Sequence, residues 1–406
     1  MAARGRVPGP LTLQGDQLRE RFHALDAFLA AHVDLWRPKP FTQLTLPWEA
    51  KYPELASWLR ARTLAEAEAV HNSLFDLDAP APFPALARQA HALSAVGPLP
   101  TTDVPAARHR LNVDVPGRKW QQIEAFAAAL PFADSTSHWL DWCAGKGHLG
   151  RRLLRDGQHL TCLEYDPALV ARGAQLSTHH ALPAHHQLQD VMVDDLRLQA
   201  CITPVALHAC GDLHVQLMRR AAQAGCQHLA FAPCCYNRTH GAYRQLCSEP
   251  SALSLTLEDL GLPLESTVTA GARVRRQRDQ SMARRLAFDL LQREQRGTDH
   301  YLPCPSLPAA WLDKPFADYC RDLAALQSVP IGHGVDFDDL EARGWQRLAH
   351  VRNLELLRGL FRKPLELWLV LDRALYLQER QYTPQVGTFC PETLTPRNLM
   401  IIAERT

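Results

Sequence analysis

The segment Asp141-Trp-Cys-Ala-Gly-Lys-Gly-His-Leu-Gly150 constrains the fold of this chain more than any other. It follows a short apolar run, His138 to Trp142, and opens a helical pattern that runs to Arg155. A strand that enters a glycine turn and leaves as a helix begins a βαβ unit. Glycines let the backbone turn sharply and approach a ligand where a side chain would collide. The helix start presents unpaired N–H groups. The alternation then continues. Leu160 to Leu163 reads as a second strand closed by Glu164, and Pro167 to Ser177 as a helix. Gln187 to Val193 reads as a third strand and Val205 to His208 as a fourth. Leu213 to Ala224 is a helix, and His228 to Ala232 a fifth strand. Alternation of this kind predicts an α/β chain with a parallel, doubly wound sheet.

The flanks obey a different period. Residues 1–111 read as a helical N-terminal region, with Leu18, Phe22, Leu25, Phe28 and Leu29 at helical spacing. Residues 112–240 form the α/β core, led in by a helix from Lys119 to Leu130. Residues 241–363 are mostly polar and helical, an insertion after the fifth strand. Residues 364–406 supply an apolar helix, Leu365 to Arg380, and a closing hairpin, Gln385 to Cys390 with Asn398 to Ala403. A chain of 406 residues exceeds one ordinary core, in keeping with this division.

Composition excludes several classes. Hydrophobic residues make up 46% and charged residues 21%, which is globular and not disordered. The net charge of +1 provides no global field for a polyanion. The 11 cysteines are odd in number and include no C-x-x-C pair, so reduced thiols and a cytoplasmic setting are expected. The basic start of the chain lacks the apolar run of a secretory signal. The most apolar stretch, Leu365 to Leu377, is broken by Glu366, Asp372 and Arg373, so no membrane span is expected.

The glycine turn suits two cofactors. Gly145-x-Gly147-x-x-Gly150 matches the dinucleotide fingerprint, and Glu164 stands near the expected acid position. Asp141, however, sits at the strand end, where a carboxylate would repel a pyrophosphate but meet the ammonium of a methionine group. S-adenosylmethionine is therefore the expected ligand. Asp141, Cys143, Ala144, Gly145 and Gly147 would form the turn around it. Glu164 would accept the ribose hydroxyls with Tyr165 beside it, and Asp190, placed in the third strand, would meet the adenine. The bland alternative is a tight turn with no ligand.

Two polar clusters leave the fourth and fifth strands, Leu207-His-Ala-Cys-Gly-Asp-Leu-His214 and Phe231-Ala-Pro-Cys-Cys-Tyr-Asn-Arg238. Both should emerge at the carboxyl edge of the sheet. His208, Cys210, Asp212, Tyr236 and Asn237 are the candidate reaction-centre residues, with Asp212 and His208 the candidate bases. A zinc site from His208, Cys210, Cys234, Cys235 and His240 is conceivable, but without paired ligand spacing no metal is expected. His214 reads as a solvated helix-start residue. In the insertion, Arg273, Arg275, Arg276, Arg278, Arg284 and Arg285, with Arg293 and Arg296 beyond, make a local basic patch. Charge runs are usually solvated faces. Here the run follows the site strand in the chain, and contact with RNA is the expectation.

Asp141 to Gly150, Glu164-Tyr-Asp166, His208-Ala-Cys-Gly-Asp212, Cys234-Cys235, Leu371-Asp-Arg373 and Thr395-Pro-Arg-Asn398 together resemble one group of class I methyltransferases. The group contains the methyltransferase-like 25 proteins, a glutathione-transferase-C-terminal-domain-containing protein and the zinc-finger tRNA ribose methyltransferases. Arg118-Lys-Trp120 resembles their basic lead-in helix. The resemblance covers residues 112–240 and 363–404. It implies a seven-stranded, Rossmann-like sheet with a closing hairpin, S-adenosylmethionine as methyl donor, and an RNA acceptor. Cys143 stands where the superfamily usually has its first glycine.

Overall fold

In chain order the strands are β1 (Leu13–Gln14), β2 (His138–Trp142), β3 (His159–Glu164), β4 (Ala184–Leu188), β5 (Ile202–Cys210), β6 (His228–Cys234), β7 (Tyr382–Thr388) and β8 (Leu399–Arg405). The computed structural model describes residues 11–71, 73–108, 110–265 and 271–406. The basic chain start considered above lies outside them. All eight strands join one sheet in the order β1-β7-β8-β6-β5-β2-β3-β4. β2 pairs in parallel with both β3 and β5, and β4 and β6 extend the parallel run on either side. β8 lies antiparallel between β6 and β7.

The sheet has one strand more than the seven expected. The addition is β1, which pairs antiparallel with β7 through Leu13 and Gln14. Two residues are too few for alternation to show in sequence. The third strand is also displaced: it covers Ala184–Leu188, not Gln187 to Val193. The Gln189 N–H to the Glu164 carbonyl, at 2.8 Å, is the last rung of its ladder, and Asp190 then caps the Met192 N–H at 2.9 Å. Asp190 therefore sits in the loop after β4, not in the strand.

The chain divides into two compact units, with boundaries after residues 30, 92, 268 and 362. The first contains the sheet and the helices packed on it. Its core gathers Phe126, Trp139, Leu160, Val205, Ala230 and Met400, drawn from β2, β3, β5, β6, β8 and the helix Gly117–Ala128. Central parallel strands buried on both faces read as continuous apolar runs, and β6 does so.

Two buried carboxylates, Asp372 and Asp26, and the exposed Glu379 tie down the segment after β6. Asp372 is fully buried and accepts the Tyr243 hydroxyl at 2.5 Å and the Leu246 and Cys247 amides at 2.8 and 2.9 Å. Glu379 takes the Ser248 amide at 2.6 Å, and Asp26 takes the Ala252 amide at 2.9 Å and the Trp368 indole at 3.1 Å. Buried carboxylates persist where such donors replace water.

The second unit is helical. Its long helices are Ala272–Arg296 and Phe337–Gly359, which pack on Phe316–Leu326 and on shorter helices from residues 33–70. Side chains of Phe337–Gly359 hold the N-terminal segment by its carbonyls. Arg347 donates to Pro40 at 2.6 Å, Asn353 to Arg62 and Thr63 at 3.0 Å, and Arg358 to Trp36 at 2.8 Å. No helix among the described residues is long and apolar enough to cross a membrane.

The two long helices cross where Gly344 faces Ala287. A Cβ on Gly344 would stand 2.5 Å from the Ala287 Cβ and 2.7 Å from the Ala283 carbonyl oxygen. Gly344→Val should therefore destabilise the helical unit by roughly 1–3 kcal/mol. Urea unfolding followed by circular dichroism checks this, and an unchanged midpoint would contradict the close crossing.

Candidate active site

The glycine turn forms between β2 and the helix His148–Leu153. Asp141, near the end of β2, is 2% exposed, and its carboxylate accepts the Gly150 amide at 2.8 Å. Burial pushes its pKa up to about 6, against the opposing pull of that amide. Beyond it the backbone enters left-handed conformations at Cys143, Gly145 and Gly147. For Cys143, at φ +55°, this is a strained state for a residue with a Cβ. Burial also raises its thiol to about 12, so it stays protonated. Ala144 fastens the turn to β3 by donating to the Leu163 carbonyl at 2.9 Å.

Gly145 and Gly147 face different surroundings. A Cβ on Gly147 would come 2.7 Å from the His186 ring and 3.0 Å from the Cys162 sulfur, so the protein itself fills that side. A Cβ on Gly145 would meet no atom within 4 Å. The turn is open there. Glu164 closes β3, and its two carboxylate oxygens accept the amides of Gly145 at 2.8 Å, Tyr165 at 2.9 Å and Asp166 at 3.0 Å. Tyr165 is 72% exposed. Asp166 caps the next helix through the amides of Ala168 and Leu169. Asp190 is exposed at the neighbouring loop. The donor set fits S-adenosylmethionine. An open turn, a carboxylate at a strand end and a second exposed carboxylate one strand further are the parts that a ribose and an adenine require.

The two polar clusters do converge. β5 carries a bulge between Leu207 and Cys210, with His208 at φ +71°. The bulge brings Cys210 into register with Cys234 of β6, their sulfurs 3.6 Å apart. With Cys235, the three sulfurs lie within 4.8 Å of one another. Hydrogen bonding from Cys234 lowers the Cys235 thiol to about 5, while hydrogen bonding with Cys210, and then with Cys235, raises Cys234. The His208 Nε2 lies 2.7 Å from the Gln122 Oε1. His208 has an open outer face, yet the protein around its ring, with Lys119 and Arg397 nearby, lowers its pKa and keeps it neutral. Gln122 was not named from the sequence. Its signal was its place one turn into the basic lead-in helix.

Asp212 begins the helix Asp212–Ala224 and accepts the His240 amide at 2.9 Å. Asn237 is exposed. Tyr236 is buried, its hydroxyl 3.4 Å from the Pro233 carbonyl and its ring under the Arg373 guanidinium. His214 is not solvated. It is fully buried, with Nδ1 3.0 Å from the Ala209 carbonyl and Nε2 receiving the Arg373 Nε proton at 2.7 Å. Burial, with that neighbour's charge, drives its pKa down, so it is a neutral spacer between β5 and the last helix. A cavity of about 360 Å³ lies beside this cluster, lined by Met192, Asp212, Tyr236, His240, Arg219 and Arg244 among others. Met192 belongs to the loop that Asp190 caps, so the cavity adjoins the cofactor side of the sheet edge.

Residues 118–241 match a protein-family model described as a methyltransferase domain. The match spans the glycine turn, both acidic positions and both polar clusters. This region is an S-adenosylmethionine-dependent methyltransferase domain.

Solved structures similar to the chain include mitomycin 7-O-methyltransferase, at 21% identity over 28% of this chain and 35% of that one, with a TM-score of 0.24. A sarcosine dimethylglycine methyltransferase from Galdieria sulphuraria matches at 15% identity over 31% and 50%, with a TM-score of 0.26. Magnesium protoporphyrin IX methyltransferase from Synechocystis, with bound SAH, matches at 14% identity over 41% and 69%, with a TM-score of 0.25. The chain thus spans 35% and 50% of the first two structures. No curated protein matches the chain.

Two measurements probe the cofactor turn. Glu164→Ala should weaken S-adenosylhomocysteine binding roughly 10- to 100-fold in calorimetric titration, the loss of charge-assisted hydrogen bonds; equal affinity would remove Glu164 from the site. The second follows from Asp141, whose folded pKa of about 6 stands above its ordinary 3.8. Its protonated form is favoured by folding, so its stabilising contribution is present below about pH 4 and is lost as pH rises to about 6. Asp141→Asn should abolish that part of the pH dependence. The stability difference between variant and parent, from urea unfolding at pH 4, 5, 6 and 7, should grow in favour of the variant with pH.

Proposed function

We propose that this domain transfers the methyl group of S-adenosylmethionine to RNA, with tRNA the first candidate. The observation that carries the reading is the cavity at the ends of β5 and β6, where Arg219 and Arg244 are exposed and, among the described residues, without an ion-pair partner. Arginine's planar fork suits phosphate oxygens, and two such groups beside the methyl-transfer edge provide a place for a nucleic-acid backbone. When bound, the cofactor supplies an electrophilic methyl group.

The chain's residues position the acceptor and take its proton. Gln122 accepts from His208 Nε2–H, which leaves Nδ1 as the acceptor of a neutral imidazole. Asp212 keeps one carboxylate oxygen beyond the one that holds the His240 amide. Either group serves as general base for a hydroxyl or ring N–H brought in line with the methyl group. A cytoplasmic setting accords with the 11 free thiols.

The cavity's volume lies in the range of small-ligand sites, which favours a small anionic acceptor as the second reading. The two separate on the helical unit. Arg273 and Arg276 of the helix Ala272–Arg296 are exposed, whereas Arg284 is buried and donates to the Leu312 and Lys314 carbonyls, and Arg285 donates to that of Pro305. The basic patch expected from the sequence is therefore partly internal.

Labelled-methyl transfer to total RNA is the test. Arg219→Glu with Arg244→Glu should reduce incorporation at least about tenfold while S-adenosylhomocysteine affinity is kept. Arg273→Glu with Arg276→Glu should reduce it as well. Incorporation confined to the small-molecule fraction, and indifferent to Arg273 and Arg276, would establish the second reading instead.

A further inference from the structure

The three cysteines at the ends of β5 and β6 have no part in the proton transfer above. Their arrangement is nonetheless built. Cys210 and Cys234 stand in register across two parallel strands, with sulfurs 3.6 Å apart, and Cys235 completes a triangle within 4.8 Å. A tetrahedral zinc–thiolate centre with bonds of about 2.3 Å spaces its sulfurs by roughly 3.8 Å. Three small side chains with only a packing role have no reason to turn the same way. These three do so because the backbone forces it.

Several features do the forcing. The bulge at His208 shifts β5 so that Cys210 faces Cys234. Cys235 then reverses the chain at φ +48°, a conformation that costs a residue with a Cβ. The two strand ends are laced together: Gly211 donates to the Cys234 carbonyl at 3.0 Å, Asp212 to the Arg238 carbonyl at 3.0 Å, and Arg238 to the Cys235 carbonyl at 2.9 Å. Gly211 permits the lacing, because a Cβ there would lie 1.9 Å from the Arg238 carbonyl oxygen.

We propose that Cys210, Cys234 and Cys235 bind one zinc ion, with the fourth position open to a ligand from outside the chain. Each thiol gives its proton to solvent as it coordinates, so three thiolates around a dication leave a net single negative charge. The positive charges of Arg238 and Arg397 act on Cys235 and offset that excess. Cys234 is buried, while Cys210 and Cys235 are half-buried, so one side of the triangle reaches the surface. A centre with three protein ligands and one exchangeable position is the arrangement of reactive and not purely structural zinc.

The test uses the full chain, purified under reducing conditions, with zinc measured by elemental mass spectrometry. One equivalent per chain is expected. Cys210→Ser, Cys234→Ser and Cys235→Ser should each fall below roughly a tenth of an equivalent. Cys201→Ser, an exposed cysteine outside the cluster, should keep the metal. Because a serine variant can fail to fold, metal-free wild-type protein is also titrated with cobalt. Tetrahedral thiolate coordination produces visible d–d bands and a sulfur-to-cobalt charge-transfer band. A reduced wild-type chain that binds S-adenosylhomocysteine yet takes up neither metal overturns the proposal, as does metal retained in all three cluster variants. Cofactor affinity, read on the same samples, keeps this outcome separate from any failure of the methyl-transfer reading.

Discussion

The hydrogen bond from the Gly150 amide to the buried Asp141 carboxylate sets the rest of the site. It pins the helix His148–Leu153 against β2, so the intervening residues must arch away from the sheet. A Cβ on Gly150 would lie 2.5 Å from Leu160 of β3, so the helix is also seated directly on the neighbouring strand. With both ends held, the arch presents Gly145 to Glu164, and the carboxylate at the end of β3 receives its amide. Putting a carboxylate out of reach of water is expensive. The cost is retained here because a side chain without an acceptor oxygen would leave a helix amide unsatisfied and the arch without an anchor.

Much of this was legible because it is local. Strand, turn and helix around Gly145 are encoded within 18 residues, 138–155, and the acid at Glu164 follows nine residues later at the end of the next strand. The α/β alternation and the closing hairpin were readable for the same reason. What escaped was set by distant partners. Asp190 looked like the middle of a strand, but the pairing with β3 stops at Gln189 and Asp190 caps the Met192 amide in the loop beyond. His214 looked solvated because its partner, Arg373, lies 159 residues away in sequence. The cysteines offered no ligand spacing, since Cys210 and Cys234 are 24 positions apart and only strand register unites them.

Charge was the poorest guide. The arginines of the helix Ala272–Arg296 look alike in sequence, yet they do different things. Arg293 is buried between Asp289 and Asp299 and holds the Thr42 carbonyl at 2.7 Å, and Arg284 lies over Phe316 and Tyr319. Long cationic side chains cover apolar surface and satisfy carbonyls as readily as they meet a polyanion. Conversely, Arg219 and Arg244 attract no attention in sequence, because neither belongs to a basic run. Their significance comes from the cavity they share.

The order of the strands in the sheet has a bearing on how the protein is made. β8 is the last strand in the chain but stands between β6 and β7, not at an edge. Until residues 399–405 leave the ribosome, the apolar flank of β6 has no neighbour, and β7 together with β1 has nothing to attach to. The helical unit is interleaved in the same way, since its halves come from residues 31–92 and 269–362. Neither unit can be completed by the first half of the nascent chain. A protein with this threading leaves that strand edge open from the synthesis of β6 until that of β8, and such an edge is what chaperones shield.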